Sequence, residues 1–118
     1  MAIPLEMLRR PADFAALQQH GTSRAHPLVV VRTVRNGLER TRFAFSTSRR
    51  LGGAVIRNRV RRRLREIVRS LAGRVEPGWD VLIVARPGCA AASYAELRDV
   101  VARLFGRAGI LRPQRDSA

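Results

Sequence analysis

The hydrophobic positions between residues 54 and 72 recur every three or four residues, as they do on one face of an α-helix. At about 100° per residue, the apolar side chains fall on a single stripe, made of Ile56, Val60, Leu64, Ile67, Val68 and Leu71. The polar residues between them are mostly arginine and fall roughly on the opposite side. The pattern therefore predicts an amphipathic helix over about residues 55–72, with one face packed on a core and the other facing solvent or a polyanion.

Shorter elements are predicted on both sides of this helix. Residues 12–20 are typical of a short helix, and Ser93 and Glu96 form a capping box that begins a last helix. β-Branched and alternating apolar residues predict strands at 22–25, 28–34, 42–48 and 80–85, the last of which is a continuous apolar run typical of a central strand. The order helix, strands, helix, strand, helix predicts a single small α+β domain arranged as an α/β sandwich.

The charge of the chain indicates a polyanionic partner. Its 118 residues include 23 cations, all of them arginine, against 9 carboxylates, which gives a formal net charge of +14. Such unbalanced charge destabilises a compact protein by self-repulsion, and nucleic acid is the usual partner that compensates it. Seven of the arginines lie between Arg57 and Arg69, where the predicted helix would display them as rigid phosphate-binding groups.

The remaining composition restricts the class of protein. Cys89 is the only cysteine, so neither an internal disulfide nor a zinc cluster is expected. No apolar run reaches the roughly 18 residues of a membrane span, and the first residues contain no continuous apolar segment typical of a secretory signal. We therefore expect a cytoplasmic protein formed by one domain over residues 1–118, with an ordered core at about 8–111 and loosely held ends.

The chain by itself does not look like an enzyme. Its carboxylates are scattered, no pair has the spacing of a two-metal nuclease, and there is no glycine-rich phosphate loop. We expect no catalytic and no metal-binding residue in the protein, no small-molecule substrate and no membrane partner. Any chemistry would come largely from a partner.

Residues 45–66, FSTSRRLGGAVIRNRVRRRLRE, resemble the signature of the bacterial ribonuclease P protein subunit. This family has a strand with small residues, a basic pair, a glycine, Ala-Val, then Arg-Asn and a run of cations that ends in Arg-Glu. The resemblance extends from about residue 8 to residue 111 and includes Asp13-Phe14, His20-Gly21 and Tyr94-x-Glu96-Leu97. The sequence departs from the family at Gly53, where members often have Asn or Lys. It also departs at Gln18 and Arg32, where members often have aromatic residues.

The resemblance implies a fold and an activity. The fold would be like that of ribosomal protein S5 domain 2, with three helices, a mixed four-stranded sheet and a left-handed βαβ crossover. The activity would be that of ribonuclease P, an endoribonuclease assembled with a catalytic RNA subunit, which removes the 5′ leader from precursor tRNA. The RNA subunit would hold the catalytic Mg²⁺ ions, and the protein alone would be inactive.

The resemblance also implies two RNA-binding surfaces. Ribonuclease P RNA would bind to a set of cations and one amide, namely Arg49, Arg50, Arg57, Asn58, Arg59, Arg61, Arg62, Arg65 and Arg69. The leader would lie in a cleft between the first helix and the sheet, where small side chains leave room and flat ones allow stacking. The predicted cleft residues are Phe14, Arg32, Ala44, Ser46 and Ser48.

Two other functions remain as alternatives. One is a structural RNA-binding protein of ribosomal type without a catalytic assembly, which would show the same basic face on a small α/β domain. The other is a DNA-binding regulator with the arginine helix in a major groove. Helices that read bases usually mix amide or hydroxyl residues among their cations, and here only Asn58 qualifies, which disfavours the DNA-binding alternative.

Overall fold

A computed structural model of the chain describes residues 5–112. Three α-helices and four β-strands follow one another as α1 (Pro11–His20), β1 (Thr22–Ala25), β2 (Val29–Arg35), β3 (Arg42–Thr47), α2 (Ala54–Leu71), β4 (Trp79–Ala85) and α3 (Tyr94–Arg107). Short 3-10 turns occupy Arg49–Leu51, Ala72–Arg74 and Pro87–Ala91. The predicted number, order and type of elements are confirmed, with boundaries that differ by at most one residue.

The four strands form one mixed sheet in the order β1-β2-β4-β3. β1 pairs with β2, and β2 with β4, in antiparallel fashion, whereas β3 and β4 are parallel neighbours. α2 connects these two parallel strands across one face of the sheet. β4 lies between β2 and β3, so the prediction that the apolar run at 80–85 is a central strand is confirmed.

The larger core lies between the sheet and the pair α2 and α3. The apolar stripe predicted for α2 contributes the buried residues Val60, Leu64, Ile67, Val68 and Leu71, with Ile56 partly buried beside them. The apolar stripe of α3 is buried as well, at Leu97, Val100, Val101, Leu104 and Phe105. The hydroxyl of Ser93 accepts a hydrogen bond from the Glu96 amide at 3.1 Å, as the capping box requires.

The opposite face of the sheet is covered by α1 and the segment before it. Leu8 and Leu17 pack there on Ala44 of β3 and Leu82 of β4. The segment pairs with the edge of β3, since the Leu8 amide donates to the Phe43 carbonyl at 2.8 Å and the Phe43 amide to the Glu6 carbonyl at 2.9 Å. The predicted ordered core begins at about residue 8, and these bonds also hold Glu6 against the sheet, whereas residues 1–4 and 113–118 lie outside the described part.

Within residues 5–112, no helix is long and apolar enough to cross a membrane.

Candidate nucleic-acid interface

The outward face of α2 is a stripe of polar side chains with one apolar exception. Its residues are all exposed, and we call the set of Val55, Asn58, Arg59, Arg62, Glu66 and Arg69 the outer stripe. They lie opposite the buried stripe because both sets follow the period of the helix. Four of the predicted RNA-binding residues therefore occupy the surface that the sequence pattern indicated.

A second row of arginines follows the flank of α2 that lies beside β3. Arg57, Arg61 and Arg65, which we call the flank row, are spaced by four residues and are only partly exposed. The Arg61 guanidinium donates to Asn58 Oδ1 at 2.9 Å and to the Thr47 hydroxyl of β3. The side chains are partly buried along the protein, and the contact with Thr47 places the polar end of Arg61 at the boundary between α2 and β3.

None of these arginines is neutralised by the protein within the described residues. The ion pairs there join Arg40 to Glu6, Arg42 to Asp13 and Asp80, Arg103 to Asp99, and Arg112 to Glu76. All of them lie outside α2. The carboxylates that do form ion pairs are thus used elsewhere, and the positive charge of α2 remains available to an external anion.

The chain enters α2 through a tight glycine turn. Gly52 has φ = 136°, and a Cβ atom there would lie 2.7 Å from Cδ1 of Ile56. A side chain at this position would therefore be strained and would collide with the first turn of α2. Arg49 and Arg50, in the preceding 3-10 turn, are both exposed, so the predicted basic pair lies on the surface close to the start of α2.

The face of the sheet beyond α1 contains an open row of small and apolar side chains. Val30 pairs with Val84, and Val84 with Ser46, across three adjacent strands. Ser46 is exposed, and both valines are partly exposed. Phe14 of α1 is partly buried and packs at the edge of the cluster beneath the helix. We call Val30, Val84, Ser46 and the exposed Ser48 beyond the end of β3 the sheet strip.

Ala44 does not belong to this strip. It is only 4% exposed and lies with Leu82 beneath Leu8 and Leu17. The expectation that it lines an open cleft is wrong. The alternation along β3 correctly places Ala44 and Ser46 on the same face, but α1 crosses that face over Ala44 and leaves only Ser46 open.

Arg32 has a structural role that the sequence did not indicate. Its guanidinium donates to the carbonyl of Leu17 at 3.2 and 2.8 Å, to that of Gln18 at 3.1 Å and to that of Gly21 at 3.3 Å, and also to the Ser23 hydroxyl. These carbonyls belong to the end of α1, where helices leave acceptors unsatisfied. Arg32 therefore caps α1 and fixes it to the sheet, and the stacking of a base on its guanidinium stays a prediction.

The sequence pattern did not indicate a polar cleft that lies at the opposite end of α1. It has a volume of about 490 Å³, and the arginines that line it are Arg9, Arg10, Arg40 and Arg42. Arg42 donates to Asp80 from Nε at 2.8 Å and from Nη2 at 2.7 Å, and this hydrogen-bonded carboxylate is the main cause that raises the pKa of Arg42. The partners are 38 residues apart in the chain, so no local pattern reveals the pair.

No three histidine, cysteine, aspartate or glutamate side chains in the described range approach one another closely enough to hold a metal ion. The acidic groups that do approach each other, such as Asp13 and Asp80, are bridged by Arg42. The described residues therefore contain no preformed cluster of three protein ligands for a metal ion.

Comparison with known proteins identifies relatives over most of the chain. A family model described as Ribonuclease P matches residues 4–109. The Ribonuclease P protein component of Roseiflexus castenholzii is 37% identical over 106 residues, which cover 89% of this chain and 87% of that protein. The component from Symbiobacterium thermophilum is 40% identical over 106 residues, covering 89% and 92%.

Solved structures show the same fold. The RNase P protein of Thermotoga maritima superposes with a TM-score of 0.79 at 27% identity, over 86% of this chain and 96% of that one. The Staphylococcus aureus RNase P protein superposes with a TM-score of 0.83 at 24% identity, over 92% and 100%.

Proposed function

The chain belongs to the ribonuclease P protein family, and from this premise we propose that its two surfaces bind two different RNAs. As a protein component of ribonuclease P, it has an RNA subunit as its partner. In the proposal, α2 with Arg49 and Arg50 binds that subunit, and the sheet strip with Phe14 receives the 5′ leader of precursor tRNA. The ribosomal-type alternative is not favoured by the family match.

The arginines of α2 support the first half of the proposal. A guanidinium binds a phosphate through two parallel hydrogen bonds, and each phosphate neutralised releases condensed counterions. The outer stripe and the flank row present Arg57, Arg59, Arg61, Arg62, Arg65 and Arg69 on a rigid helix, none of them paired with a carboxylate of residues 5–112. This unpaired row of cations is the observation that carries the assignment.

The sheet strip supports the second half. It crosses three adjacent strands and is therefore about 10 Å wide, since neighbouring strands lie about 4.8 Å apart. Its floor is formed by Val30, Val84 and Ser46, which offer no charge and little height. Phe14 packs, as Val84 does, on the cluster beneath α1, and we propose that its partly exposed ring stacks on a base of the leader. Such a surface would accept a single strand of many sequences, because stacking does not read the edges of bases.

The protein's part in catalysis would be binding and orientation. We propose that the Mg²⁺ ions required for hydrolysis are held mainly by the RNA subunit, which supplies the metal chemistry of the holoenzyme. The chain would contribute by holding the leader beside its RNA partner and by lowering the repulsion between two RNAs. Its own side chains would transfer no proton and form no bond to the substrate.

Reconstitution tests the proposal directly. The protein is added to ribonuclease P RNA and precursor tRNA at a magnesium concentration at which the RNA alone cleaves slowly. We expect faster cleavage at the mature 5′ end, and tighter binding of precursor tRNA than of mature tRNA. RNA-free protein is the control and should cleave nothing. An absence of stimulation, or equal effects on both tRNAs, would contradict the proposal.

A further inference from the structure

The outer stripe of α2 contains one residue whose chemistry differs from that of its neighbours. Val55 is 82% exposed, although it lies in the helix that carries the densest positive charge in the chain. Isolated apolar side chains are common on protein surfaces and need no explanation by themselves. Val55 differs because the surface around it is the one proposed to bind RNA, so some part of the RNA must lie against its methyl groups in the complex.

The first turn of α2 fixes the direction of Val55. The next residue, Ile56, packs against the main core and against the backbone of Gly52. The buried stripe that Ile56 begins sets the rotation of the helix, and Val55 therefore lies on the outer side. A valine in a helix has essentially one χ1 rotamer, so its two methyl groups form a rigid apolar projection.

The neighbours of Val55 are groups that bind phosphate or bases. Asn58 and Arg59 are three and four residues further along and lie beside Val55 on the helix surface, and Arg62 lies one turn beyond them. All three are exposed. A polyanion held by Arg59 and Arg62 would thus be brought over Val55. A polar group placed against the methyl groups would lose its bound water and gain no hydrogen bond, so the part of the polyanion that covers Val55 must be apolar.

We infer that Val55 contacts the base face of an unpaired nucleotide of the ribonuclease P RNA, next to phosphates bound by Arg59 and Arg62. In an RNA helix the base faces are stacked on one another, so only unpaired nucleotides can offer a base face to a side chain. A second copy of this chain is a poor occupant, because it would bring two arginine-rich helices together. The inference rests on the proposed binding of the RNA subunit to α2.

Val55→Thr is the decisive variant. Threonine keeps the branched shape and has a similar helix propensity, but it replaces a methyl group by a hydroxyl. We expect the affinity for ribonuclease P RNA to fall about five- to tenfold, equivalent to about 1–1.4 kcal/mol. The ratio of wild-type to variant affinity should stay constant with salt concentration, since every arginine that binds a phosphate is still present. Val55→Ile should bind as the wild type does.

Controls separate this inference from the proposed function. Arg62→Ala should weaken binding and flatten the salt dependence; if it changes neither, the assignment of α2 as the RNA surface fails as well. Tyr94→Ser alters an exposed residue in the first turn of α3, outside the outer stripe, and should bind normally. Circular dichroism should give the same melting temperature for wild type and Val55→Thr, because the side chain is exposed.

Three results would overturn the inference. The first is wild-type affinity in Val55→Thr, and the second is a defect that changes the salt slope. The third is a change in sedimentation that shows Val55 at an interface between two protein copies.

Discussion

The guanidinium of Arg42 and the carboxylate of Asp80 form two parallel hydrogen bonds across the neighbouring strands β3 and β4. Their side chains are 16% and 3% exposed, so the pair is largely removed from water. Asn36 donates a further hydrogen bond to Asp80 at 3.0 Å, and Asp13 of α1 lies 3.3 Å from the other end of the guanidinium. One arginine thereby connects α1, two strands and the loop after β2.

The first prediction concerns the stability supplied by this arrangement. Asp80→Ala leaves the Arg42 guanidinium largely buried without its main partner, and removal of one member of a buried pair typically costs about 3–5 kcal/mol. We expect the free energy of unfolding, measured by urea denaturation, to fall by that order. Glu6→Ala removes the exposed partner of Arg40 and should cost about 0–1 kcal/mol. Equal losses in both variants would contradict the prediction.

The second prediction concerns the attachment of α1 by Arg32. Arg32→Met keeps much of the apolar stem but removes the donors to Leu17, Gln18 and Gly21. A hydrogen bond to a charged group stabilises the folded state by about 1.5–3 kcal/mol. Part of this is restored when water binds the acceptor in the variant. We expect faster amide hydrogen exchange in α1, with little change in α3. Arg32→Lys should restore protection only in part, because an ammonium group cannot reproduce the planar fork of a guanidinium.

The positions of Arg32 and Ala44 show which features of the site the sequence could not predict. The helical period alone located the buried and exposed faces of α2, since both faces are set by local geometry. The period of β3 placed Ala44 and Ser46 on one face, but only the path of α1 decides which of them is covered. Arg32 was predicted to line the leader cleft, and its role as a cap of α1 could not be predicted because its acceptors, backbone carbonyls at the end of α1, have no sequence signature. Long-range backbone contacts of this kind require the fold.

The third prediction concerns Cys89, which is fully buried in the main core. Burial raises the pKa of the Cys89 thiol to about 11, against a lowering by Arg63. An unfolded thiol titrates near its ordinary value, so between about pH 8.5 and pH 11 the folded state holds more protons than the unfolded state. Stability should therefore decrease as the pH rises through this range, by roughly 1.4 kcal/mol per unit of pKa shift.

A comparison with Cys89→Ala isolates this effect. The variant should lose a constant amount of stability from the small cavity, but none of the pH-dependent part. The measured quantity is the difference in free energy of unfolding between wild type and variant at pH 8 and at pH 11. A difference that is the same at both pH values would show that the thiol does not titrate with unfolding.

The fourth prediction concerns the flank row of α2. Replacement of Arg61 and Arg65 together by Ala should weaken assembly with ribonuclease P RNA. It should also reduce the slope of log affinity against log salt concentration, by about 0.7–0.9 for each phosphate that is no longer bound. The matched control is the double replacement of Arg98 and Arg103 in α3, which removes the same formal charge from an exposed surface elsewhere. If both double variants lose the same affinity, net charge rather than the position of the arginines determines binding.

The fifth prediction concerns the sheet strip. Ser46→Trp places a large side chain over the strip between Val84 and the edge of the sheet, on a residue that is exposed and therefore does not disturb the core. Stacked bases contribute roughly 1–3 kcal/mol each, so exclusion of one or two from the strip should weaken binding of precursor tRNA at least fivefold. Mature tRNA has no leader and should bind the variant holoenzyme as it binds the wild type.

The control for Ser46→Trp is Ala95→Trp, which adds the same side chain at an exposed position of α3, outside the sheet strip. This variant should bind precursor tRNA and mature tRNA with wild-type affinity. The affinity for ribonuclease P RNA is measured for both variants, because α2 and the strip are separate surfaces and neither tryptophan lies on the outer stripe. If Ser46→Trp weakens precursor and mature tRNA equally, the strip contacts the body of the tRNA instead of its leader. If it weakens neither, the leader passes over another surface, and the arginine-lined cleft of Arg9, Arg10 and Arg40 becomes the next surface to test.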